Sequence, residues 1–149
     1  MTQTDPLIIA LKALVKRDYL VAELRGLLVQ KGYSDEQADG ALDQISRWGF
    51  LDEPRHATQI ALSRRRRYGR ERILAELEAK GATGEAIQAV MELLPEENEF
   101  ERARALVAAK GFARSDRVKA ARFLATRGFS QDVIESIIES NFDEVDDQC

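Results

Sequence analysis

An all-α fold of tandem helical repeats follows from three features of this sequence. A basic residue followed by glycine recurs as Lys31-Gly32, Lys80-Gly81 and Arg127-Gly128, the glycines standing 49 and 47 residues apart, so the repeating unit is a little under 50 residues. Apolar residues around these glycines are spaced three and four apart, the period of a helix with one buried face. Strand formers are scarce: aromatics make up 7% of the 149 residues and charged residues 32%.

Each element has a local cause. A first helix over Leu7 to Arg17 is opened by Asp5-Pro6, a side-chain cap followed by a first-turn proline. The segments Tyr19 to Ile45, Tyr68 to Leu94 and Ser115 to Ser140 then align as helix, glycine, helix. Their shared register is Leu24, Ile73 and Ala120, with Leu28, Leu77 and Leu124 four residues later. After the glycine, Ser34 with Gln37 forms a capping box, and Thr83 and Ser130 take the same cap position. The helix faces beyond these caps, such as Ala38, Ala41, Leu42 and Ile45, or Ile134, Ile137 and Ile138, are core faces. Further helices over about Pro54 to Arg67 and Asn98 to Lys110 precede the second and third pairs.

Each unit is thus a three-helix bundle, too small to bury much apolar surface unless neighbours share contacts. The expected architecture is three tandem three-helix repeats in an elongated, curved arrangement: residues 5–51, a basic repeat 52–95, residues 96–142, and an acidic tail 143–149. Trp48, Phe50 and Leu51 are expected to pack at the first junction, and Phe100 to stake the helix after the acidic loop at Pro95.

Composition narrows the chemistry. Cys149 is the only cysteine and His56 the only histidine, which removes the common zinc sites and the usual nucleophile triads. No glycine-rich phosphate loop is present. A binding protein without catalytic activity or cofactor is the expectation. The start lacks a basic region and cleavage site, and no apolar stretch suits a membrane, so a cytoplasmic protein is expected.

Charge is segregated within a chain of net charge -4. Arg55 to Lys80 holds eight Lys and Arg against three acids, whereas Glu85 to Glu101 holds six acids and no base. At the centre lies "SRRRRYGRERI", Ser63 to Ile73. Arg65, Arg66 and Arg67 close a helix, where cations meet a favourable dipole. Arg64 aligns with Val15 on the core stripe, so its stem is expected to pack while the guanidinium reaches a carboxylate or the surface. Arg70 and Arg72 fall in the first turn of the next helix, against the dipole, and call for compensation by an external anionic partner. Only Tyr68 is available inside the cluster to stack on a base, so a protein or protein–DNA partner fits better than DNA alone.

The stretches "GFLDEPRHA", "RRYGRERILAELEAKG" and "RFLATRGFSQDVI" resemble the RecX family, bacterial regulators of the RecA recombinase. The likeness covers roughly residues 7 to 140, and its most specific part runs from the glycine before Ile73 through Glu76, Leu77, Lys80 and Gly81. It implies a monomer that binds the RecA filament on single-stranded DNA and lowers its ATPase, strand-exchange and co-protease activities. On that footing Arg65, Arg66, Arg67, Arg70 and Arg72 are expected to make the principal contacts, with Lys80, Arg122 and Arg127 contributing. Two positions depart from the family pattern: His56 stands where an aromatic is usual, and Leu20 replaces a capping serine, which suggests a frayed start to that helix or a cap from Asp18. The rival reading is a DNA-binding regulator of helix-turn-helix geometry, motivated by the short turn at "RRRRYGRER".

Overall fold

The computed structural model describes residues 3–142, and every regular element among them is helical, as the sequence predicts. The acidic tail 143–149 lies outside the described residues. The helices are α1 (Pro6–Lys16), α2 (Val21–Gln30), α3 (Asp35–Arg47), α4 (Glu53–Arg64), α5 (Arg70–Ala79), α6 (Gly84–Leu93), α7 (Glu99–Lys110), α8 (Arg117–Arg127) and α9 (Gln131–Asn141), with a single 3-10 turn at Glu96–Asn98. All six positions of the shared register, Leu24, Ile73, Ala120, Leu28, Leu77 and Leu124, are buried. The chain groups into two compact units, Met1–Gln59 with Leu77–Ala89 and Ile60–Glu76 with Val90–Cys149.

In the first unit α1, α2 and α3 pack on one another around Leu24, Leu28, Tyr33, Leu42 and Ile45. The helix ends are fixed locally as expected. The Leu7 amide donates to Asp5 Oδ1 at 2.9 Å, and Ser34 and Gln37 exchange bonds of 3.1 and 2.9 Å. The Ala86 amide donates to Thr83 at 3.2 Å. Gly32 takes φ +101°, left-handed geometry that a Cβ disfavours, and lets the chain turn from α2 toward α3.

Three expectations for this unit are corrected. The start of α2 is not frayed: Leu20 is fully buried, its amide donates to Glu23 at 2.9 Å, and the Val21 amide donates to Glu53 at 2.7 Å. One cap comes from Glu23, three residues on, and a second from a carboxylate 32 residues away. Trp48 and Phe50 are 49% and 59% exposed and meet edge-on at 6.2 Å, so only Leu51 of that trio packs on the core. Val15 is 86% exposed, so no core stripe runs through its position.

In the second unit α7, α8 and α9 pack around Val107, Leu124, Phe129, Ile134 and Ile137, with Phe100 against this cluster as expected. The Val133 amide donates to Ser130 at 3.3 Å at the start of α9. α4 ends at Arg64, three residues before the expected end. The amides of Arg67 and Tyr68 both turn back to the Arg64 carbonyl at 3.0 Å, which leaves Arg65 to Arg67 as a turn.

Candidate docking surface

The arginine turn is held by a chain of charge-assisted bonds that starts at Glu99, the first residue of α7 and 5% exposed. One of its oxygens accepts the Arg70 amide at 2.7 Å, and the other pairs with Arg102. The Arg102 guanidinium then donates to the carbonyls of Arg65 at 2.8 Å and Tyr68 at 2.6 Å. A buried acid thus orients a cation, and that cation fixes the turn backbone from inside.

The far side of the turn meets the end of α8. The Gly69 amide donates to the Arg127 carbonyl at 2.7 Å, and Arg72 donates to the Thr126 carbonyl at 2.9 Å. The amide-rich start of α5 therefore faces the carbonyl-rich end of α8, a favourable meeting of opposite partial charges. Both helices depend on glycine here. A Cβ on Gly69 would lie 2.5 Å from the Gly128 oxygen, and one on Gly128 would lie 2.7 Å from the Arg72 nitrogen.

This joint corrects the reading of Arg70 and Arg72. Their compensation is internal: Arg70 donates to the Leu94 carbonyl at 2.7 Å and approaches Glu96 at 3.5 Å. Arg72 lies over the Tyr68 ring at 3.9 Å as well as on α8. Tyr68 already carries a guanidinium on its ring, with Arg127 a further 5.6 Å neighbour, so it is not a free base-stacking platform. Arg64 reaches a carboxylate as expected, its Nε and a terminal nitrogen each 3.0 Å from Glu76. Glu76 in turn holds the Arg64 guanidinium above its ordinary pKa.

What remains available is a different set. Among the described residues the side chains of Arg65, Arg66 and Arg67 make no hydrogen bond or ion pair, and all three are exposed. Arg66 and Arg67 join Lys110 and Arg127 around Phe123, Leu106 and Ala109 in a cleft of about 350 Å3. Arg65 and Arg66 also edge a cleft of about 530 Å3 floored by Leu93, Leu94, Pro95 and Leu106. The two clefts share Arg66, Leu106 and Ala109, so apolar and cationic lining run together.

Of the residues expected from sequence, Arg65, Arg66, Arg67 and Arg127 thus line these clefts. Arg122 is exposed on α8 but lines neither, and Lys80 belongs to the first unit. Lys110, Arg102 and Glu99 were not anticipated. Lys110 could have been found as a cation closing α7, whereas nothing local marks Glu99 as a clamp. The turn does not present α5 to a groove. A recognition helix offers its first residues to base edges, and here Gly69 is buried and its amide bonded to α8.

No helix among the described residues is long and apolar enough to cross a membrane, and among them no cluster of three or more His, Cys, Asp or Glu could hold a metal ion.

No family model matches the chain. Curated relatives do. A "Regulatory protein RecX" of Trichlorobacter lovleyi is 34% identical over 146 residues, which span 91% of this chain and 95% of the relative. Proteins of the same name from Leptothrix cholodnii and Thermus thermophilus are 34% and 33% identical, each match covering 84% of the relative and 87% and 85% of this chain. Among solved structures, RecX from Lactobacillus salivarius shares the fold with a TM-score of 0.76 at 17% identity, over 91% of this chain and 93% of that one.

Proposed function

Because the chain belongs to the RecX family of regulatory proteins, we propose that it binds the RecA filament on single-stranded DNA and inhibits its ATPase, strand-exchange and co-protease activities. It acts by binding alone, as a cytoplasmic monomer without a cofactor, and meets DNA through the filament. The observation that carries this reading is the clamped turn whose exposed arginine side chains, Arg65 to Arg67, make no hydrogen bond or ion pair among the described residues. Arg65, Arg66, Arg67 and Arg127, with Lys110, meet carboxylates of RecA or phosphates of its DNA, while Arg122 and Lys80 add charge outside the clefts. Arg70 and Arg72 act as positioning residues, because their guanidinium groups are engaged within the fold. The shared buried register supports reading residues 5–51, 52–95 and 96–142 as three repeats of one helical unit. Fixing the turn before contact reduces the ordering cost of binding, and several modest contacts along a polymer combine through effective concentration.

The test is a RecA ATPase titration. Arg66→Glu with Arg67→Glu should retain the helical circular-dichroism signal and raise the concentration needed for half inhibition by about tenfold or more, as expected for loss and reversal of interfacial charge pairs. Unchanged inhibition at moderate salt would overturn the assignment.

A further inference from the structure

The cleft of about 530 Å3 lies wholly within the second unit and is built along α7. Asn98, Glu101, Arg102, Ala105, Leu106 and Ala109 line it at helical spacing, so one stripe of α7 faces it for three turns, roughly 16 Å. Leu93, Leu94 and Pro95 add further apolar lining. Ala105 and Ala109 are exposed and small, so another backbone can approach this stripe closely. The charge around the cleft is unbalanced. Glu101, the acid in its lining, already lies 3.0 Å from Arg104, and Arg102 is held by Glu99. Arg65 and Arg66 are left over, exposed and without a hydrogen bond or ion pair among the described residues.

An occupant must therefore offer apolar side chains and negative charge together. A sugar-phosphate backbone would meet Arg65 and Arg66 but leave Leu93, Leu94 and Leu106 uncovered, and among the described residues no aromatic ring lines the cleft for a base to stack on. An extended peptide would need a strand edge to pair with, whereas every regular element among the described residues is helical. A helix needs only the groove. We propose that this cleft receives an amphipathic helix of a protein partner, with apolar residues three and four apart set against Leu93, Leu106 and the two alanines, and carboxylates beside them meeting Arg65 and Arg66. The proposal deepens the docking reading and rests on it for the partner: the arginines of this cleft answer to protein, not to DNA phosphate.

The probe is a capped synthetic peptide of about 15 residues, the length at which an isolated helix begins to hold in water, with leucines three and four apart and glutamates beside them. Titrated into the isotope-labelled full chain, it should shift the amides of Arg66, Ala105, Leu106 and Ala109 saturably. Replacing its leucines by serine, or its glutamates by glutamine, should in each case weaken binding by about tenfold or more. Ala105→Glu, at an exposed position of α7, should keep the helical circular-dichroism signal and abolish binding. Absence of saturable shifts would overturn the proposal. So would equal binding of either altered peptide, binding retained by Ala105→Glu, or tighter binding of an oligothymidylate at the same amides. No step uses RecA. Unchanged RecA inhibition by Arg66→Glu with Arg67→Glu would remove RecA as the partner and leave the wild-type titration as it is, so the two readings fail separately.

Discussion

The Gly69 amide donates to the Arg127 carbonyl at 2.7 Å, which seats the first turn of α5 on the last turn of α8. The seat has no room for a methyl group on either glycine. Gly128→Ala combines a left-handed backbone, φ +95°, with a collision against Arg72, and should cost about 2 kcal/mol or more in urea unfolding. Gly111→Ala is the control: φ is +77° with open space around it, so only the backbone cost of about 1 kcal/mol applies. Equal losses at the two positions would show that the joint is looser than described.

Glu53 should prove more costly to remove than its position at the start of a helix suggests. Its two oxygens accept the amides of Val21 at 2.7 Å and Thr83 at 2.6 Å, each at the start of another helix. Glu53→Ala leaves two helix-start amides, at half-buried Val21 and exposed Thr83, without their carboxylate and should cost about 1–3 kcal/mol. Glu53→Gln keeps a single acceptor oxygen and should fall between. Denaturation monitored by circular dichroism ranks the three proteins.

His56 makes stability depend on pH. Its side chain is 15% exposed, neither ring nitrogen has a hydrogen-bond partner among the described residues, and burial lowers its pKa below the usual value while Asp18, 3.6 Å away, pulls the other way. The unfolded chain takes up the proton first, near pH 6.5. Stability is therefore fully present above that value, and is lost as the pH falls through the lower folded pKa. Urea midpoints measured from pH 8 to pH 5 should decline in the wild type. His56→Phe, which fills the space with an aromatic and no titrating nitrogen, should remove this part of the decline.

Trp48 should behave as a surface residue. Its indole is half exposed and touches Phe50 edge-on. Trp48→Ala should change stability by less than about 1 kcal/mol, well short of the 3–5 kcal/mol typical of a buried tryptophan. The same residue is the only tryptophan in the chain, so its fluorescence should be readily quenched by iodide in the native state.

The parts of the fold written in local spacing were legible. Asp5-Pro6, the Ser34–Gln37 box and the left-handed glycines set helix ends within a few residues of themselves, and the three-and-four apolar pattern located the six buried register positions. The parts set by distant partners were not. Glu53 and Glu99 look like ordinary helix-start acids, but they cap amides 32 and 29 residues away. Arg70 and Arg72 were placed correctly against the local dipole, yet their partners are the Leu94 and Thr126 carbonyls, supplied by neighbouring helix ends that a linear reading does not see. Trp48 and Phe50 were misplaced because hydrophobic composition alone does not distinguish a junction from a surface.

The joint between α5 and α8 also bears on how far such a sequence can drift. Its central bond runs from peptide group to peptide group, so it asks nothing of the side chain at position 127 and forbids only a Cβ at positions 69 and 128. A contact of that kind survives wholesale replacement of the residues around it. The geometry is thereby uncoupled from the surface chemistry, and arginines on the exposed side of the turn are free to be exchanged, tuned or lost without disturbing the frame that displays them.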